Sequence, residues 1–194
     1  MTLNKLPSIS IVGATGAVGK VCLDILKEKK YPSNKINLFA SKRSEGKRIE
    51  YFEEKLIVKE ATKDSFNESN VVFISADSQV SLDLAPSAVK SGALVIDDGS
   101  AFRMEEKVPL VVPEVNENDI NNHNGIISIP NCTTTPLVMA IHHLRKLETI
   151  KRIQAITYQA VSGSGSLAVS ELQSQTENII NSKDITASVY PHQI

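Results

Sequence analysis

Asn131-Cys132-Thr133-Thr134-Thr135-Pro136 sets a cysteine between an apolar strand (Gly125-Ile126-Ile127-Ser128-Ile129) and a helix whose apolar residues recur as Leu137, Val138, Ile141 and Leu144. A helix N-terminus carries unpaired N–H donors and a partial positive charge, and both favour a thiolate over a thiol. Such settings lower a cysteine pKa of about 8.5 by one to several units, each unit being about 1.4 kcal/mol of preference for the anion. Cys132 is therefore placed to be a nucleophile, with threonine hydroxyls around it. A cysteine is also one of the most buried residue types, and Cys22 fits that role. It lies on a helical stretch with Val18, Ile25 and Leu26 and reads as inert.

A second constellation could hold phosphate. Gly13, Gly16 and Gly19 follow a short apolar strand and open a helix. Glycines allow a tight turn and close backbone approach to a pyrophosphate, whose charge sits at the helix N-terminus. Thr15, Ala17 and Val18 complete the turn as candidate cofactor contacts. The next strand ends in Ala40-Ser41-Lys42-Arg43-Ser44 with no acid before Glu45. NAD readers place Asp or Glu there to bind the ribose 2′-hydroxyl. Two cations and the hydroxyls of Ser41 and Ser44 suit a 2′-phosphate instead, with Arg43 offering a fork of N–H donors. The expected cofactor is NADP, and no metal site is expected.

Strands must deliver these groups. Ser8–Val12, Ile36–Ala40, Leu56–Val58, Val71–Ile74, Leu94–Ile96, Leu110–Val112 and Ile126–Ile129 read as strands, with helical segments after Gly16 and around Leu82–Val89. Ser41–Arg48 reads as a polar, basic loop. Continuous apolar runs such as Val71–Ile74 suit strands buried on both faces. Strands alternating with helices predict an α/β, Rossmann-type, doubly wound and mostly parallel sheet. Beyond Leu147, Ile153–Tyr158 alternates like a strand, Gln159–Gly165 is a loop of small residues, and Leu167–Ile180 reads as a helix. We place a boundary near Asn131: residues 1–130 as the cofactor domain, and 131–194 as the beginning of an α+β catalytic and dimerisation domain that looks incomplete.

The 194 residues are 41% hydrophobic and 22% charged with a net charge of −1, as in a soluble globular protein. That balance offers nothing to nucleic acid or to an anionic membrane surface. No apolar run approaches the ~20 residues of a membrane span, and Met1–Lys5 lead into no signal-type segment. Two cysteines outside any metal or disulfide spacing suit a reducing, cytoplasmic setting.

Six motifs occur in order: Gly13–Gly19, Ser41-Lys42-Arg43-Ser44-Glu45-Gly46, Asp97-Asp98-Gly99-Ser100-Ala101-Phe102-Arg103, Val112-Pro113-Glu114-Val115-Asn116, Pro130–Thr134 and Tyr158-Gln159-Ala160-Val161-Ser162-Gly163. Together they resemble aspartate-semialdehyde dehydrogenase, from about Ile9 to the last residue. The resemblance implies NADP-dependent reductive dephosphorylation of 4-aspartyl phosphate to aspartate 4-semialdehyde, toward lysine, threonine and methionine, by a homodimer. It makes Cys132 the nucleophile that forms a thioester, and Gln159 the residue orienting the acyl-enzyme. Arg103 and Asn131 become the phosphate-binding pair. Ser75 joins the cofactor contacts, and Ser162 and Gly163 lie near the nicotinamide. Ser75-Ala76-Asp77-Ser78 departs from the family, whose members often carry two glycines after Ser-Ala. The family's acid/base histidine has no counterpart here. His142 and His143 lie about three helical turns past Cys132, roughly 15 Å away, and with His123 and His192 read as surface or structural. The expectation is thus the N-terminal portion of the enzyme, nearly inactive alone. The alternatives are an N-acetyl-glutamyl-phosphate or malonyl-CoA type reductase, or a non-catalytic NADP-binding module.

Overall fold

The computed structural model describes residues 6–194; Met1–Lys5, read above for a signal segment, lie outside them. The described chain forms two compact units dividing after Arg152.

The first unit is built on a seven-stranded sheet. In chain order come β1 (Ile9–Val12), α1 (Ala17–Glu28), β2 (Ile36–Ala40), β3 (Arg48–Tyr51), β4 (Glu54–Glu60), β5 (Val71–Ile74), α2 (Ser78–Lys90), β6 (Leu94–Asp97), α3 (Pro113–Asn116), β7 (Ile126–Ser128) and α4 (Thr134–Leu144). The spatial order is β3-β4-β2-β1-β5-β6-β7. All neighbours are parallel except the β3–β4 hairpin. Without β3, the order is that of two mononucleotide-binding halves meeting at β1 and β5, where a doubly wound sheet opens its ligand crevice. The expected Rossmann-type sheet is present.

Successive residues of each central strand serve opposite faces, as the two-residue period demands. Ile11, Leu38 and Val58 pack with Leu23 of α1. Val12, Phe39, Val72, Ile74 and Val95 pack with Leu84, Ala85 and Ala88 of α2 and with Phe66. Burial on both faces explains why these strands read as unbroken apolar runs.

Several local expectations need correcting. Arg48 opens β3 instead of ending a loop, and β4 runs well past Leu56–Val58. This edge hairpin is rich in charge, and its turn puts Phe52 at φ 54°, so its polar outer face hid it. Leu110–Val112 makes only a single bridge, Leu110 to Ser128. On α1 the buried residues are Gly19 and Leu23, while Val18 and Ile25 are exposed and Cys22 is half-buried.

The second unit holds α5 (Ser166–Ile180) and the segment that returns along it. Ile153–Tyr158 is exposed and belongs to no strand, contrary to its alternating pattern. A strand is defined by a partner's ladder, and among the described residues none is offered. Glu171 and Gln175, both buried, organise the unit. The Glu171 carboxylate accepts from the N–H groups of Ser188, Val189 and Tyr190 at 2.7, 2.7 and 3.2 Å. Gln175 donates to Glu171 and to the Thr186 carbonyl, and accepts from the Ile194 N–H.

Candidate active site

The glycine turn crosses from β1 to α1 at the point where the strand order reverses. Gly13 has φ +86°, and a Cβ there would lie 2.0 Å from the Ser75 carbonyl oxygen. Only glycine fits that conformation and that approach. A Cβ on Gly19 would lie 2.3 Å from the Gly13 oxygen, so α1 begins flush against the turn. No side chain caps α1, whose N-cap is Gly16, and no acid sits in its first turn. The first N–H groups of the helix are thus left to a ligand, and their dipole favours an anion. A pyrophosphate fits these residues.

Ser41, Arg43 and Ser44 lie where β2 ends, in a short 3₁₀ turn over Lys42–Ser44. Ser44 is buried, and its hydroxyl accepts from Thr15 Oγ1 at 3.4 Å, which ties this turn to the glycine turn. Arg43 and Ser41 are exposed. The structure therefore brings Gly13, Thr15, Gly16, Ala17, Val18, Gly19, Ser41, Arg43 and Ser44 to one edge of the sheet, with Ser75 against the turn.

Cys132 is exposed and follows β7 at the same carboxyl edge. The turn that winds into α4 starts at Asn131, whose carbonyl accepts from the N–H groups of Thr134 and Thr135 at 2.9 and 3.1 Å. Asn131 Oδ1 also accepts from the Thr133 N–H at 3.1 Å and the Thr133 hydroxyl at 2.8 Å. This is a local Asx-type turn ahead of the helix, whose own N-cap, Thr133, makes no side-chain cap bond. Asn131 thus does a job the motif alone does not reveal: it shapes the turn that holds Cys132 just before α4 begins at Thr134. The Cys132 sulfur lies 3.8 Å from Asn131 Oδ1. Cys22 is half-buried instead, and burial pushes its thiol pKa up.

Arg103 is half-buried and bridges two strand ends. Its Nε donates to the Ile129 carbonyl and its Nη2 to the Asp98 carbonyl, each at 2.9 Å. Ile129 is two residues before Asn131, so the guanidinium is fixed to the segment that delivers Cys132. A planar fork suits two such bonds with donors to spare for an anion.

Two residues that the third motif contains, but to which the sequence assigned no role, anchor this edge. Asp97, fully buried at the end of β6, accepts from the Ser81 hydroxyl at 2.6 Å. Burial pushes its carboxyl pKa up, opposed by the bonds from Ser81 and the Gly99 N–H and by Arg103, while Asp98 adds to the rise. Asp98 accepts from the Ser75 hydroxyl at 2.9 Å. The available signal was an acid pair closing the apolar run Leu94–Ile96.

His143 Nδ1 lies 2.8 Å from the Met139 carbonyl. His142 is pushed down in pKa by burial and by Lys146, Arg145 and His143. His123 Nδ1 accepts from the Gly125 N–H. None of these contacts involves Cys132. Gln159, Ser162 and Gly163 belong to the second unit, where Gln159 is exposed and accepts from the Thr157 hydroxyl at 3.2 Å. Ser162 and Gly163 lie in a 3₁₀ turn spanning Val161–Ser164. Among the described residues no group of three or more His, Cys, Asp or Glu could hold a metal ion, and no helix is long and apolar enough to cross a membrane.

Comparison with known proteins places the chain in a family. Residues 8–123 match the family model described as semialdehyde dehydrogenase, NAD binding domain. The chain is 47% identical over 183 residues to an aspartate-semialdehyde dehydrogenase of Bacillus subtilis, covering 94% of this chain and 53% of that protein. A crystal structure of aspartate semialdehyde dehydrogenase II from Vibrio cholerae, complexed with ASA, superposes with a TM-score of 0.89 at 34% identity. It covers 98% of this chain and 57% of its own. The Candida albicans enzyme with NADP gives a TM-score of 0.60 at 30% identity over 73% of this chain and 47% of its own. The chain spans about half the length of the curated relatives it matches. It belongs to the semialdehyde dehydrogenase family, and its matched residues 8–123 are that family's NAD-binding domain.

Proposed function

We propose that the protein is an NADP-dependent aspartate-semialdehyde dehydrogenase in which Cys132 is the nucleophile. The observation that carries this reading is an exposed cysteine on the first turn after β7, at the sheet edge that also carries the glycine turn and Arg103. The Cys132 sulfur attacks the acyl carbon of 4-aspartyl phosphate, the carbon–oxygen bond to phosphate breaks, and a thioester forms. Arg103 holds the leaving phosphate, which its charge stabilises as it departs. Asn131 fixes the turn on which the sulfur sits and offers its amide to the same phosphate. When bound, NADPH supplies the hydride that takes the thioester to the aldehyde level. Gln159 orients the acyl group, and Ser162 and Gly163 line the nicotinamide end. The exposed Arg43, with Ser41 and Ser44, reads the 2′-phosphate.

The NADP present in the Candida albicans relative supports the choice of cofactor, as does the absence of an acid at the end of β2. In this reading residues 1–130 are the cofactor domain and 131–194 open the catalytic and dimerisation domain. The enzyme works in the cytoplasm, as a homodimer, on the route to lysine, threonine and methionine. The test is turnover by the full-length enzyme that carries this chain, with NADP and phosphate, using aspartate semialdehyde and N-acetylglutamate semialdehyde in turn. The expected result is a preference for the aspartyl substrate of at least about a hundredfold, the scale on which a pocket discriminates a change in chain length. Equal or reversed rates would refute the substrate assignment.

A further inference from the structure

The loops after β5 and β6 are laced together by two side-chain hydrogen bonds. Ser75 Oγ donates to Asp98 Oδ2 at 2.9 Å, and the hydroxyls of Ser78 and Ser100 meet at 3.0 Å. Each end of the first bond leads to a different part of the site. On one side, Ser75 is the residue whose carbonyl oxygen occupies the space a Cβ on Gly13 would need, and its N–H donates to Val12. Any movement of the glycine turn is therefore felt at Ser75. On the other side, the Asp98 main-chain carbonyl accepts from Arg103 Nη2, while Arg103 Nε holds Ile129. The Asp98 N–H is itself held by the Ile74 carbonyl at 2.9 Å. One short residue thus grips the cofactor loop with its side chain and the arginine with its backbone.

We propose that Asp98 is a positioning residue that couples occupancy of the glycine turn to the placement of Arg103, so that the cofactor and the phosphate favour each other's binding. The inference rests on the proposed roles of the glycine turn and of Arg103. A cofactor phosphate settling on the turn presses Gly13 against Ser75. The bond from Ser75 to Asp98 carries that restraint to the loop, and the Asp98 carbonyl sets the guanidinium. Coupling of this kind is reciprocal: whatever NADP does to phosphate affinity, phosphate must do to NADP affinity. Asp98 acts through its bonds to Ser75 and Arg103.

The experiment titrates inorganic phosphate into the intact protein by calorimetry, without and with saturating NADP. In the unsubstituted protein NADP tightens phosphate binding at least about fivefold, the lower end of ordinary allosteric coupling. Asp98→Ala and Ser75→Ala break the same bond from its two ends, and each brings the factor below about twofold. Asp98→Asn keeps an acceptor oxygen for Ser75 and retains most of the coupling. Thermal melts establish which variants are folded, and a folded Ser75→Ala suffices should Asp98→Ala unfold. Full coupling in the broken-bond variants, even with both affinities weakened, would reduce Asp98 to ordinary loop packing and overturn the proposal. So would independent binding, or no binding, in the unsubstituted protein. The two readings fail separately. Cooperative binding without NADPH formation from the semialdehyde refutes the function alone, and turnover without coupling refutes the role of Asp98 alone.

Discussion

At the scale of single residues, the two cysteines make a controlled comparison. Cys132 is exposed on a helix-opening turn; Cys22 is half-buried on α1 with its pKa raised by burial. A thiolate is the species that alkylates. Iodoacetamide near neutral pH is therefore expected to modify Cys132 at least about ten times faster than Cys22, as peptide mapping would show. Equal labelling would remove the nucleophile assignment. Arg43 makes a second prediction. A charge-assisted hydrogen bond is worth about 1.5–3 kcal/mol, or roughly 10- to 150-fold in affinity. Arg43→Ala should weaken NADP binding by that factor and leave NAD binding nearly unchanged; equal loss for both cofactors would contradict the reading of the 2′-phosphate. Cys132 and Arg43 were legible because their chemistry is carried by residue type and by a neighbouring turn. Asp98 was not, since its part depends on bonds to Ser75 and Arg103 that no spacing reveals.

At the scale of elements, the buried parallel strands and the helices between them announced themselves through apolar runs. β3 did not, because an edge strand is solvated on its outer side and carries charges there. Ile153–Tyr158 failed in the opposite sense: its alternation is that of a strand, but pairing decides whether a ladder forms, and α5 offers no edge. Within that second unit the Glu171 carboxylate supplies a pH-dependent tether. The Ser188 N–H, then those of Val189 and Tyr190, and the Gln175 amide hold its pKa below the ordinary carboxylate range against an opposing effect of desolvation. A carboxyl depressed on folding contributes stability that is present above its unfolded pKa and is lost as pH falls through the folded value. Hydrogen exchange should show Ser188, Val189 and Tyr190 protected near neutrality and released on acidification below the ordinary carboxylate range. Glu171→Gln should show weaker protection with no such acid step. An acid step unchanged in Glu171→Gln would assign the tether to another group.

At the scale of the molecule, the first unit gathers the glycine turn, the basic end of β2, Arg103, Asn131 and Cys132 along one edge of a single sheet. The second unit carries Gln159, Ser162 and Gly163. The compact units divide after Arg152. The α4 helix buries none of its residues, and α5 leaves Leu167, Ile179 and Ile180 exposed. Apolar surface of this kind suits the proposed homodimer. The central claim concerns the sulfur of Cys132. The most direct measurement is the rate at which the full-length enzyme that carries this chain forms NADPH from aspartate semialdehyde, phosphate and NADP, compared with its Cys132→Ala variant. Loss of a covalent nucleophile predicts a fall in turnover of at least about a thousandfold with the protein still folded. Turnover within tenfold of the unsubstituted protein would contradict the account.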